Sequence, residues 1–164
     1  LPPFERAFYA GGSNDLRSWI NFRIGPGALP KAVFDTAGFL GSGSLKLLAQ
    51  AEWRFPILGS TYGAFFADAG NVWLTSANAS TAQWDLLDNP ELRDAVSFNL
   101  LRMPRQTALG MGFGLRYDFD FFIARADWGL QVYDPRRLAT GDAWWRPSEG
   151  IRRSALQIAI GLPF

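Results

Sequence analysis

Leu45-Lys46-Leu47-Leu48-Ala49-Gln50-Ala51-Glu52-Trp53-Arg54-Phe55 is the stretch that decides the fold class. Its odd positions are all apolar, and its even positions are mostly polar (Lys46, Gln50, Glu52, Arg54). A strict period of two belongs to a β-strand with one apolar and one polar face. Sustained over this stretch, it matches the roughly 9–11 residues that a tilted transmembrane strand needs. Pro56 predicts its end, and Ile57-Leu58-Gly59 predicts a short turn into the next strand.

The pattern returns along the chain. Ser60–Trp73 sends Phe65 and Ala67 to one face and Tyr62, Phe66 and Asp68 to the other, with Gly70 marking a bend or a close backbone approach. Thr107–Phe119 alternates Leu109, Met111, Phe113, Leu115 and Tyr117 with Gly110, Gly112, Gly114 and Arg116. That G-x-G-x-G invites a dinucleotide-binding reading, but no helix pattern follows it. Glycines on the inner face of a crowded strand are the favoured reading. Past a tight turn at Asp118-Phe119-Asp120, Phe121–Tyr133 sets Phe122, Ala124, Ala126, Trp128, Leu130 and Val132 against Arg125, Asp127, Gly129 and Gln131. Ser154–Phe164 closes the series, with Leu156, Ile158, Ile160, Leu162 and Phe164 outward and Gln157, Ala159 and Gly161 inward.

Soluble sandwich strands usually run about five or six residues, and these are far longer. Short connections at 56–59 and 118–120 alternate with long ones at 74–104 and 134–153. Short turns at one end and long loops at the other are the plan of an outer-membrane barrel. Within 74–104 a short helix fits between residues 86 and 101, confined by Pro90 and Pro104. In 134–153 the pair Trp144-Trp145 suits either a membrane interface or a local cap. Five strands are too few to close a barrel, and an open sheet in lipid would strand backbone groups at several kcal/mol each. The remaining strands are therefore expected from outside this sequence. Leu1-Pro2-Pro3, with neither an initiator Met nor a signal-peptide pattern, is likewise expected of a fragment.

The composition agrees with many strands and interfacial aromatics. Aromatic residues make up 15% of the 164, seven of them Trp, beside 17 Gly and 10 Pro. A net charge of +1 without a basic run gives no case for nucleic acid. Without Cys there is no disulfide framework or thiol nucleophile, and without His the commonest general base and metal ligand is gone. The expectation is a non-enzyme with no cofactor and no metal site.

Residues 1–42 hold no sustained period, being broken by Pro2, Pro3, Pro26, Pro30 and several glycines, with a short strand expected at Ser18–Arg23. A long loop of this kind tends to be functional. Its density of aromatics (Phe4, Phe8, Tyr9, Trp19, Phe22) argues against the bland alternative of a disordered terminus. Within it, Gly11-Gly12-Ser13-Asn14-Asp15-Leu16-Arg17-Ser18-Trp19 places one arginine after a glycine-rich turn. Glu52 and Asp68 fall on the inner face of consecutive strands. A guanidinium can bond two carboxylates through its fork of donors, so Arg17 is expected to fold into the barrel interior and be clamped there. The plain alternative is a lumenal salt-bridge ladder with no special role. Neither arrangement is a glycosidase pair, because an adjacent arginine holds both acids ionised.

Phe4-Glu5-Arg6, the run "FYAGGSNDLRSW" with "IGPG" after it, "AEWRFPI", "FFADAGNVW", "GFGLRYDF" and the terminal Phe together resemble the C-terminal part of the outer-membrane insertases related to BamA and TamA, closer to TamA-like members. The resemblance implies an all-β, transmembrane antiparallel barrel of sixteen strands. The last five would be present here as one domain over 1–164, with 1–42 an inward-folded loop and 43–164 five strands with two long loops. It implies residence in the bacterial outer membrane and a role in assembling or translocating other proteins. The implied partners are the missing strands and periplasmic domains of the same protein, membrane lipid, client outer-membrane proteins and a periplasm-spanning or lipoprotein partner. The family's V-R-G-F/Y loop motif falls on Leu16, Arg17, Ser18 and Trp19, with Ser18 standing where the family has Gly. Its two wall carboxylates fall on Glu52 and Asp68, with Gly11, Gly12, Trp19, Phe66 and Gly70 as supporting residues. Gly161, Pro163 and Phe164 fall in the closing strand that would form a lateral gate, Pro163 removing a donor beside the seam. Phe164 also suits a simple interfacial anchor. A two-partner-secretion pore and a passive porin are the alternatives.

Overall fold

The computed structural model describes residues 7–37, 41–75 and 89–161. Among the described residues seven strands run in chain order as β1 (Phe8–Tyr9), β2 (Ser42–Gly43), β3 (Leu45–Leu58), β4 (Thr61–Trp73), β5 (Ala108–Asp118), β6 (Ile123–Tyr133) and β7 (Ser154–Ile160). The last five form one antiparallel meander in the order β3-β4-β5-β6-β7, and β1 pairs with β2 apart from it. Among the described residues β3 and β7 each pair along one edge only, so this all-β sheet is an unclosed arc of a barrel. No helix among them is long and apolar enough to cross a membrane, which says nothing of strands.

The period of two becomes two faces. Trp53 lies opposite Phe65, Phe65 opposite Phe113 and Phe113 opposite Trp128. These side chains form an aromatic row on the convex face, with the Trp53 and Phe65 rings stacked at 6.1 Å and the Phe113 and Trp128 rings tilted against each other at 5.3 Å. Aromatic cross-strand neighbours of this kind stabilise the pairing of a sheet. Outward Leu115, Leu156, Ile158 and Ile160 are all more than half exposed, as a lipid-facing surface requires. The opposite face carries Asp68, Arg116, Arg125 and Asp127, all buried.

Two sequence expectations are corrected. Pro56 does not end β3, which continues to Leu58. The ladder shifts register between Pro56 and Leu58, and an irregularity is where a residue without an N–H can sit in a strand. Ser18–Arg23 is not a strand. Its donors serve turns instead: Trp19 N–H bonds Leu16 C=O, Arg23 N–H bonds Ile20 C=O, and Phe22 has a positive φ.

The segment before β3 is also more structured than an uninterrupted loop, holding β1 and a helix at Lys31–Ala37. The helix expected in the long connection is present at Pro90–Val96, and Pro90 opens it rather than confining it. Proline suits the first helical turn, and Asn89 caps the helix by accepting from Glu91 N–H. A single turn at Met103–Gln106 follows. The connection before β7 contains two short 3-10 helices, Pro135–Thr140 and Pro147–Arg153. Trp145 is a local cap there, donating to Gly150 C=O at 3.1 Å, while Trp144 packs on Tyr133 and stays largely exposed.

Two apolar clusters hold the early segment against the sheet. Ala10, Leu16, Trp19 and Ile24 pack with Val72 of β4 and Ala108 of β5. Leu29 and Phe34 pack with Leu74 and Val96 beyond the long-loop end of β4.

Candidate functional site: a clamped loop on the concave face

Gly11 and Gly12 both adopt positive φ, 97° and 110°, which an L side chain rarely tolerates. They fold the chain back on itself, and Gly12 N–H bonds the Trp19 carbonyl at 2.9 Å to close the excursion. A Cβ on Gly11 would stand 2.5 Å from the Ile20 carbonyl oxygen, so glycine is required there for space as well. Leu16 and Trp19 are buried on either side of Arg17, which is itself fully buried.

Arg17 bonds two strands at once. Its backbone N–H and its Nε donate to Asp68 Oδ2 at 3.0 and 2.9 Å, and Nη2 donates to Asp68 Oδ1 at 2.7 Å. Nη1 donates to Glu52 Oε2. The guanidinium lies 3.8 Å from the centre of the Phe66 ring, whose negative face favours a cation. The arginine, the two carboxylates and Phe66 thus meet at one point on this face.

Other contacts were not foreseen. Glu52 also accepts from Arg54 Nε and from Arg116 Nη2, the latter at 2.9 Å. Arg116 Nη1 stands 2.6 Å from Asp127 Oδ1, and Arg125 Nη1 lies 3.5 Å from Asp127 Oδ2. Arg125 also donates to Asn14 on the loop. The wholly enclosed set is balanced, with Arg17, Arg116 and Arg125 facing Glu52, Asp68 and Asp127. Buried charge is tolerated only with such pairing. On the rim Lys46 pairs with Asp15, and Gln50 donates to the Asp15 carbonyl at 2.8 Å. The inward parity of Arg116, Arg125, Asp127 and Gln131 was legible. Their joining of the same network was not, because it depends on register.

The three glycines of β5 acquire individual reasons. A Cβ on Gly110 would stand 2.4 Å from Ser18 Oγ, one on Gly112 2.6 Å from the Phe66 ring, and one on Gly114 2.4 Å from Arg116 Nη1. Gly129 on β6 also faces Ser18, 2.7 Å from its Oγ. Together Gly110 and Gly129 make the hollow that receives Ser18.

A match to the Omp85 superfamily domain covers residues 2–152. The chain belongs to the Omp85 superfamily. This is a family of non-enzymatic outer-membrane proteins that insert or translocate other proteins, which agrees with the unclosed antiparallel arc. A comparison with curated proteins gives no match.

Within this Omp85 chain the remaining expected residues divide. Gly70 is buried beside β3, where a Cβ would stand 2.5 Å from the Leu47 carbonyl oxygen, so its role is close strand approach. Gly161 follows β7 with φ 96°. Pro163 and Phe164 lie outside the described residues, as does the Phe4-Glu5-Arg6 motif.

Proposed function

We propose that this chain is the C-terminal barrel portion of a TamA-like insertase, working without enzymatic chemistry in the assembly of other outer-membrane proteins. Residues 1–164 form part of one barrel domain, completed by strands and periplasmic domains elsewhere in the same protein. Arg17 is its lock: a loop arginine that fastens the lumenal segment to the wall. The fully buried Arg17, bonded to acids on two adjacent strands, carries this reading. A salt-bridge ladder along the wall would have no need of a charge supplied from a loop. The gate is the seam at the final strand, where a client strand could pair with an exposed backbone edge. Clients, membrane lipid and a periplasm-spanning or lipoprotein partner complete the assembly.

Arg17→Ala in the full-length protein tests the lock. Protease access to residues 7–37 rises and assembly of client barrels falls. Unchanged protection of that segment with wild-type client assembly would sink the proposal.

A further inference from the structure

We infer that Gln157 is a positioning residue that ties β7, the strand at the proposed gate, to the clamped loop. The inference rests on the gate reading above and concerns how the lock and the gate communicate.

The ionic partners of the loop and its network lie on four strands. β3 supplies Lys46 and Glu52, β4 supplies Asp68, β5 supplies Arg116, and β6 supplies Arg125 and Asp127. β7 reads Ser154-Ala155-Leu156-Gln157-Ile158-Ala159-Ile160 and has no charged residue. Its inward positions beside Gln157 are Ala155 and Ala159, too short to reach across the lumen. Gln157 does reach: Nε2 donates to the Trp19 carbonyl at 2.9 Å. One strand earlier, Gln131 Nε2 donates to the Ser18 carbonyl at 3.0 Å.

The contrast in bond type matters. The loop is held to β3 and β4 by charge-assisted bonds to a fully enclosed guanidinium, and to β7 by one neutral amide–carbonyl bond. Neutral bonds are the weaker kind. β7 can therefore leave the loop without disturbing the Arg17 clamp. Because the Trp19 carbonyl also closes the Gly12 turn, the loop in turn registers whether β7 is in place. The lock holds the static wall, and Gln157 couples the moving strand to it. Acceptance by a backbone carbonyl makes the contact independent of the identity of residue 19.

The test uses the full-length protein in lipid nanodiscs, with backbone hydrogen exchange followed in 154–160 and in 12–19. Gln157→Glu keeps the side-chain length but sets an acceptor against the Trp19 carbonyl. It should speed exchange in 154–160 by about fivefold, the factor for loss of one neutral hydrogen bond. Gln157→Lys restores a donor and should return most of the protection. Gln131→Glu, on β6, should loosen 12–19 directly and reach 154–160 only through Gln157, adding nothing there in the Gln157→Glu background. Arg17→Ala should speed exchange in 154–160 when Gln157 is present and add nothing further in the Gln157→Glu background. Unchanged exchange in 154–160 for Gln157→Glu, or failure of Gln157→Lys to recover protection, overturns the coupling. Changed exchange that Lys reverses, with client assembly unaffected, upholds the coupling and counts against the gate reading instead.

Discussion

Asp68→Asn is the sharpest probe of the clamp, because it alters charge while almost preserving shape. In the native site the carboxylate accepts three bonds from Arg17, two at Oδ2 and one at Oδ1. An asparagine offers one carbonyl oxygen and turns its amide donors toward a donor, so at least one of the three bonds is lost. The enclosed set of three guanidinium groups and three carboxylates also becomes unbalanced by one positive charge. Removing one partner of a buried pair costs about 3–5 kcal/mol. Since about 1.4 kcal/mol is a factor of ten, the population with the loop released should rise by about a hundredfold to a few thousandfold. Hydrogen exchange at the Arg17 and Trp19 amides of the full-length protein in nanodiscs reads this directly. The first bonds Asp68 and the second closes the turn onto Leu16. Exchange within threefold of wild type at both amides would refute the clamp as the element that holds the loop.

Other consequences follow from the same geometry. Gly110→Ala places a methyl group 2.4 Å from Ser18 Oγ and should loosen the loop by about 1–3 kcal/mol, the usual cost of overpacking, seen as faster proteolysis within 7–37. Asn71, buried in β4, donates to the carbonyls of Gly27 and Gln106, so Asn71→Ala should lower thermal stability by about 1–3 kcal/mol by leaving both acceptors unpaired. Glu149 sits in the connection before β7, where burial would raise its pKa, but the Arg146 backbone N–H and the Arg153 guanidinium outweigh that and hold it below its ordinary value. A depressed folded-state pKa contributes stability that is present above the unfolded value of about 4.3 and is lost as pH falls through the folded one. Exchange protection of 146–153 should therefore decline on acidification below that range, and Glu149→Gln should abolish the dependence.

Much of this protein was legible from periodicity alone. Strict alternation in Leu45–Phe55 and in Leu109–Tyr117 implied strands, and strand parity put Glu52, Asp68, Arg116 and Arg125 on one side of the sheet. A period of two determines a face whatever the neighbours are, so the pattern survives without knowledge of pairing. Chain-breaking residues were less reliable guides. Pro56 proved compatible with a strand at a register irregularity, and the apolar Ser18–Arg23 run became turns because its backbone groups found partners inside the loop. Local sequence states a propensity, and tertiary hydrogen bonding decides whether it is used.

Register and depth belonged to the fold alone. Parity sent Arg116 and Asp127 inward, but only the antiparallel stagger of β5 on β6 brings them together and joins them to Glu52 two strands away. The hollow formed by Gly110 and Gly129 for Ser18 arises from residues on separate strands and a loop more than ninety positions earlier, a distance over which no local pattern carries information. The same holds for Gln157, an unremarkable inward glutamine in sequence, which acquires its partner because the folded loop presents the Trp19 carbonyl to the last strand. The residues determined which groups face the interior, and packing determined which of those groups meet.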